Sequence, residues 1–192
     1  MSTFPIVIAS AAWQSSFKFP LPCGEGQGEG NLENMKKLEA VLILHDIRSV
    51  QNVGSIFRTA DCAGISKIYL CGYTPTPLDR FGRKRKDFAK VSLGAEETVE
   101  WEAVPEIKKL IRQLAEEKFQ IIAVEQSNNA VDYKKVVPTF PVAFLFGNEV
   151  DGVEQKVLDQ CDVVAEIPMR GKKESLNISV ALGVALFRIL NC

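Results

Sequence analysis

Three short segments carry polar side chains at spacings suited to chemistry. Ile167-Pro-Met-Arg-Gly-Lys-Lys-Glu-Ser-Leu-Asn177 runs from an apolar strand end, through a Gly- and Lys-bearing loop, to Ser175-Leu176-Asn177 ahead of a long apolar stretch. At a helix N-terminus, unpaired backbone N–H groups and short polar side chains form a natural seat for a polar ligand. Gly147-Asn-Glu149-Val-Asp-Gly152 brackets a carboxylate with two glycines, which permits tight turns and close backbone approach to a ligand. Asn52-Val-Gly54-Ser-Ile-Phe-Arg58 opens a helix. Arg58 falls about 1.7 turns beyond Asn52, so both reach one cleft only if that helix lies along it. Singly, each segment has an ordinary explanation: Ser175 as a helix cap, Asp151 at a strand-to-helix turn, Arg58 as a solvated side chain.

The elements that must position these groups follow from the apolar pattern. Val41–Leu44 is a continuous apolar run, which predicts a buried strand. Val53, Ile56, Phe57, Ala60 and Ala63 keep helical spacing, closed by Gly64. Strands are predicted at Lys67–Cys71, Gln120–Val124, Val142–Phe146 and Val163–Ile167. A helix is predicted through Val104, Ile107, Leu110, Ile111 and Leu114, a short one near Val153–Asp159, and a last one over Leu176–Leu190, apolar on nearly all sides. Alternating strands and helices predict an α/β fold: a mostly parallel sheet with helices on both faces. Such sheets bind ligands beyond the C-terminal ends of their strands. Asp46–Asn52, Gly147–Gly152 and Pro168–Ser175 all fall there. The last helix carries more apolar surface than one sheet face covers, so it packs either against a second subunit or deep in its own chain.

With 192 residues, 46% of them hydrophobic, the chain suits one full-sized domain with an extension. Residues 1–38 hold Pro5, Pro20, Pro22 and alternating glycines at 24, 26, 28 and 30, and read as a flexible arm and linker ahead of a domain at 39–192. The arm's aromatics, Phe4, Trp13, Phe17 and Phe19, suggest docking on the domain or a partner subunit. No apolar run reaches the ~18–20 residues of a membrane span. No Lys or Arg precedes Lys18, unlike a signal peptide, so a cytoplasmic protein is expected. Five cysteines without a C-x-x-C pair, and a single histidine, His45, argue against a metal site. Cys62 and Cys71 are expected in the core, and His45 as a structural or surface residue. Net charge is −1, so nucleic-acid binding must come from local charge. Arg80, Arg83, Lys84, Arg85, Lys86 and Lys90 supply that, with Phe81 and Phe88 interleaved to stack on unpaired bases.

In this order on one α/β pattern, the three segments resemble those of the SpoU/TrmH family of RNA ribose 2'-O-methyltransferases, of the SPOUT class. The likeness covers residues ~40–190 by the strand-and-helix reading. It implies a C-terminal trefoil knot, a homodimer, S-adenosylmethionine as cofactor, and RNA (tRNA or rRNA) as partner. It implies a cofactor pocket at Leu145, Gly147, Ile167, Met169, Ser175 and Leu176. It implies a catalytic set of Asn52, Arg58, Glu149, Ser175 and Asn177, with no metal required. Arg58 is read as a phosphate clamp, because a guanidinium does not readily lose its proton. The rival readings are a non-catalytic RNA-binding relative, a SPOUT enzyme that methylates a base nitrogen, and a nucleotide-dependent oxidoreductase. The last is disfavoured by the missing G-x-G-x-x-G after the first strand.

Overall fold

The structure, a computed structural model, describes residues 39–192. The expectations for the arm at 1–38 lie outside the described residues. The chain runs β1 (Ala40–His45), α1 (Val50–Cys62), β2 (Lys67–Cys71), α2 (Lys86–Ser92), α3 (Ala95–Thr98), β3 (Glu100–Val104), α4 (Ile107–Glu116), β4 (Gln120–Val124) and β5 (Val131–Asp132). It continues with a 3-10 turn (Tyr133–Lys135), β6 (Val142–Phe146), α5 (Gln155–Leu158), β7 (Val163–Glu166) and α6 (Ile178–Leu190). The seven strands form one sheet in the order β3-β2-β1-β6-β4-β7-β5, every pairing parallel.

The apolar runs are the central strands because both their faces are covered. Along β1, Leu42 and Leu44 enter one core with Val53, Ile56 and Phe57 of α1 and Leu182 and Leu186 of α6. Val41 and Ile43 enter a second core with Leu110, Ile111 and Leu114 of α4 and Val157 of α5. Side chains alternate across a strand, so β6 divides likewise: Phe144 and Phe146 to the first core, Ala143 and Leu145 to the second.

The sheet edges depart from the expected pattern. Val104 ends β3 rather than opening a helix. β3 carries Glu100, Trp101 and Glu102 on a half-exposed outer edge, so it lacks the apolar signature of a buried strand. Lys67 ties it on, with Nζ 3.0 Å from Glu100 and 2.9 Å from Glu102. The two-residue β5 lies at the other edge, where no strand was expected. The basic segment is a turn followed by two short helices. Phe88 of α2 is fully buried, with its ring edge-on to Phe57 at 5.2 Å, so it is a core residue and not a stacking surface for bases. Cys71 is buried as expected, whereas Cys62, on the outer face of the last turn of α1, is exposed.

The last helix begins at Ile178, two residues later than expected, and its cap is Asn177 rather than Ser175. Ile178, Leu182, Ala185, Leu186 and Ile189 are buried in the chain's own core, while Val180, Val184 and Phe187 stay exposed at 52%, 38% and 39%. The helix is thus buried on one side within its own chain and bears a bare apolar strip on the other. Among the described residues, no helix is long and apolar enough to cross a membrane.

Candidate active site

The three segments do meet at the C-terminal ends of the strands. Ser49 caps α1, its Oγ accepting from Asn52 N at 3.2 Å, and this sets Asn52 in the first turn facing β6. Asn52 Nδ2 donates to Glu149 Oε1 at 2.9 Å, and Asn52 Oδ1 accepts from Asn177 Nδ2 at 3.1 Å. One residue from each segment thus joins a single chain, Asn177–Asn52–Glu149. Asn177 does two tasks at once, because its Oδ1 also accepts from Ser179 N and caps α6.

The other oxygen of Glu149 accepts from Arg48 N at 3.1 Å. Partial burial works against its charge, but the bonds from the Asn52 amide and the Arg48 backbone outweigh it and hold the carboxyl below the usual glutamate range. Arg48 in turn reaches Asp151 at 3.2 Å.

Asn148 is the buried post behind this rim. Its Oδ1 accepts from Val150 N and Asp151 N at 2.8 and 2.9 Å. Its Nδ2 donates to Asp46 O at 2.8 Å and to the Tyr73 hydroxyl at 2.6 Å. All four positions of the amide are filled, which ties the loops after β1, β2 and β6 together.

Beside the chain opens a cleft of about 120 Å³, lined by the ends of β4 and β6, the loops after β4, β6 and β7, and the start of α6. Gly147, Ile167, Met169, Ser175 and Leu176 line it, as does Glu149. Gly147 must be glycine: an added Cβ would overlap Val153 and press on the Gly152 backbone. Leu145 does not line the cleft. It is fully buried on the opposite face of β6, and its neighbour Phe146 faces the cleft instead.

Glu125 and Gln126, after β4, were not singled out from sequence, yet both line the cleft. Glu125 Oε2 accepts from Val153 N at 3.1 Å and occupies the space a Cβ on Gly152 would need. Gln126 Nε2 donates to Glu174 O. That is the one side-chain hydrogen bond the described residues make to the exposed run Arg170–Glu174. Nothing in the residue types around Glu125 marks it in advance, because its role depends on strand order.

Arg58 is not brought to the cleft. It is exposed and opens on a separate recess with Ser49, Gln51, Asp87 and Lys90. Of the basic segment, Arg83 pairs with Asp79, Lys84 with Glu97 and Arg85 with Asp87. Arg80, Lys86 and Lys90 form no ion pair among the described residues. The Arg80 and Arg83 guanidinium groups stack on the exposed Phe81 ring at 4.8 and 5.0 Å. His45 lies beyond the cleft lining, half-buried, with Nε2 3.4 Å from Asp46.

A parallel α/β domain with a mixed polar and apolar cleft at its strand ends defines a ligand-binding class of protein. The chain belongs to the SpoU rRNA Methylase family, whose pattern matches residues 39–187. It is 33% identical over 158 residues to the 23S rRNA (guanosine-2'-O-)-methyltransferase RlmB of Neisseria meningitidis, covering 82% of this chain and 60% of that relative's length. An AdoMet-bound rRNA methyltransferase from Sinorhizobium meliloti superposes with a TM-score of 0.72 at 28% identity, over 80% of this chain and 56% of that one. The A. aeolicus TrmH/SpoU tRNA modifying enzyme shares the fold, with a TM-score of 0.70 at 24% identity, over 81% and 75% of the two chains.

Proposed function

We propose that the protein transfers a methyl group from S-adenosylmethionine to the 2'-hydroxyl of a ribose in tRNA or rRNA. The observation that carries this reading is the Asn177–Asn52–Glu149 chain at the rim of a cleft with mixed polar and apolar walls. Phe146, Ile167, Leu176 and Ile178 offer apolar walls for a purine ring, and Ser175, Gln126 and the Gly147 backbone offer polar contacts. Glu125 and Glu149 give the cleft a negative side that suits a cation. When bound, the cofactor supplies an electrophilic methyl on a positively charged sulfur.

The chain's own residues then have to orient a weak nucleophile. Glu149 is ionised at neutral pH with both oxygens engaged, so it acts as an orienting carboxylate and a weak base. Asn52 and Asn177 hold it and present amide edges to an incoming ribose. Arg58 serves as a clamp on a neighbouring phosphate and on negative charge that develops at the ribose oxygen. Arg58 opens away from its own cleft, and Val180, Val184 and Phe187 of α6 are bare. Both features support a homodimer in which Arg58 serves the cleft of the second subunit. Arg80, Lys86 and Lys90 join it as RNA contacts.

We further infer a trefoil knot in the C-terminal part, as the resemblance implies; the late strands β6 and β7 sit between earlier ones, which is compatible with such threading. Residues 1–38 are read as an arm on the domain at 39–192, and the RNA substrate goes with a cytoplasmic enzyme.

The test uses labelled S-adenosylmethionine with tRNA and rRNA fractions from a strain lacking the gene, comparing wild type and Arg58→Ala. Label in a 2'-O-methyl nucleoside, lost in Arg58→Ala, is expected and names the RNA. Label in a methylated base would replace the ribose reading. Failure to bind the cofactor would overturn the methyltransferase reading.

A further inference from the structure

We propose that Tyr73 is a stacking platform for an unpaired base of the RNA substrate beside the methylated ribose. The inference rests on the reading of the site as an RNA ribose methyltransferase. Tyr73 follows β2, outside the cleft lining but bonded to Asn148, which is part of it, and it is 56% exposed. An exposed loop tyrosine is ordinarily free to turn. This one is held at both ends. Its backbone N donates to Asp46 Oδ1 at 3.1 Å, and its hydroxyl accepts from Asn148 Nδ2 at 2.6 Å.

The preceding residue reinforces the placement. Gly72 has φ +63°, and a Cβ there would overlap the Asp46 carboxylate that receives the Tyr73 N–H. The Arg48 guanidinium lies beside the Tyr73 hydroxyl, a contact that pushes the Arg48 pKa up. Asn148, which fixes the hydroxyl, lines the cleft and directly precedes Glu149. The ring is therefore rigid, largely bare, and one residue removed from the orienting carboxylate.

Rigid exposed aromatics are what unpaired bases stack on, and stacking tolerates any base because each has a π face. The ordering cost that a free side chain would pay on binding is already met by the two anchors. Phe81 is also exposed, but it carries the Arg80 and Arg83 guanidinium groups at the tip of another turn and has no bond to a residue of the cleft lining. Among the described residues, Tyr73 alone joins an exposed ring to the Asn148–Glu149 rim.

The experiment measures RNA KM, kcat and cofactor Kd for the full chain, using the tRNA and rRNA fractions described above. It compares wild type, Tyr73→Leu and Tyr73→Phe. Loss of one stacked base weakens binding by roughly 5- to 150-fold, so Tyr73→Leu is expected to raise the RNA KM by that factor with cofactor Kd unchanged. Tyr73→Phe keeps the ring and loses only the Asn148 bond, so its KM should stay within about threefold of wild type. Equal damage in both variants would make the hydroxyl the important group and overturn the inference. So would a normal RNA KM in Tyr73→Leu. A wild type that transfers no methyl to either RNA overturns the enzyme reading and this inference with it, a result distinct from an active wild type indifferent to Tyr73.

Discussion

Asn52→Ala removes the centre of the chain at the rim and little else. Glu149 loses the 2.9 Å bond from Nδ2, and Asn177 loses its acceptor at 3.1 Å. A hydrogen bond to a charged group contributes about 1.5–3 kcal/mol and a neutral one about 0.5–1.5 kcal/mol. The site is open to solvent, which brings both toward their lower ends, about 2 kcal/mol together. If that energy holds the geometry in the transition state, kcat/KM falls about 30-fold. The Asn52 backbone N–H to Ser49 survives, so the helix start stays capped and global stability should change by no more than about 0.5–1 kcal/mol. The assay is steady-state methyl transfer to RNA, with cofactor Kd and a denaturant melt as controls. Asn52→Asp should be worse than alanine, because it sets a second carboxylate against Glu149 and removes the donor. A kcat/KM for Asn52→Ala within about threefold of wild type, in a folded protein, would refute the role given to the chain.

Other consequences are equally open to measurement. Gly147→Ala forces a Cβ into Val153 and Gly152; a loss of about 1–3 kcal/mol and a Tm lower by roughly 2–10 °C are expected by calorimetry, with weakened cofactor binding. Phe88→Ala leaves a hole beside Phe57 in the core and should cost about 3–5 kcal/mol in a urea melt, whereas a base-stacking Phe88 would lower RNA affinity without destabilising the fold. His45 is the sole histidine, and burial pushes its pKa down, against the pull of Asp46 and Glu154. Its imidazole NMR midpoint should therefore lie below 6.5. Because the unfolded chain takes up this proton first, its contribution is present above pH 6.5 and is lost as pH falls through the folded-state midpoint. His45→Gln should flatten that part of the stability profile.

The centre of the sheet was legible because strands buried on both faces must be apolar throughout, and β1, β4 and β6 are. Its edges were not. β3 is held by Lys67 reaching Glu100 and Glu102, and β5 is two residues long, so neither bears a periodic apolar signal. Phe88 was misread because a ring among basic residues looks like a nucleic-acid surface, while α2 turns it inward onto Phe57. Within the site, the polar residues of the three segments were visible by type. Their bonding was not, and neither was the part played by Glu125 and Asn148. Those two act on chain neighbours 28 and 102 residues away, through contacts that only the strand order creates.

The cleft has two unlike walls. The one at Asn148 is pinned by four hydrogen bonds on a single buried amide. On the other side, the run from Arg170 to Glu174 that joins the lining residues Met169 and Ser175 is exposed, and a Cβ on Gly171 would meet nothing within 4 Å. A guest finds the Asn148 side already built, whereas any freezing of the exposed run would cost roughly 1–2 kcal/mol of backbone entropy per residue ordered. Affinity is set by how much of that freezing the guest's contacts repay. Two guests that meet the Asn148 side identically can therefore differ in affinity through this run alone.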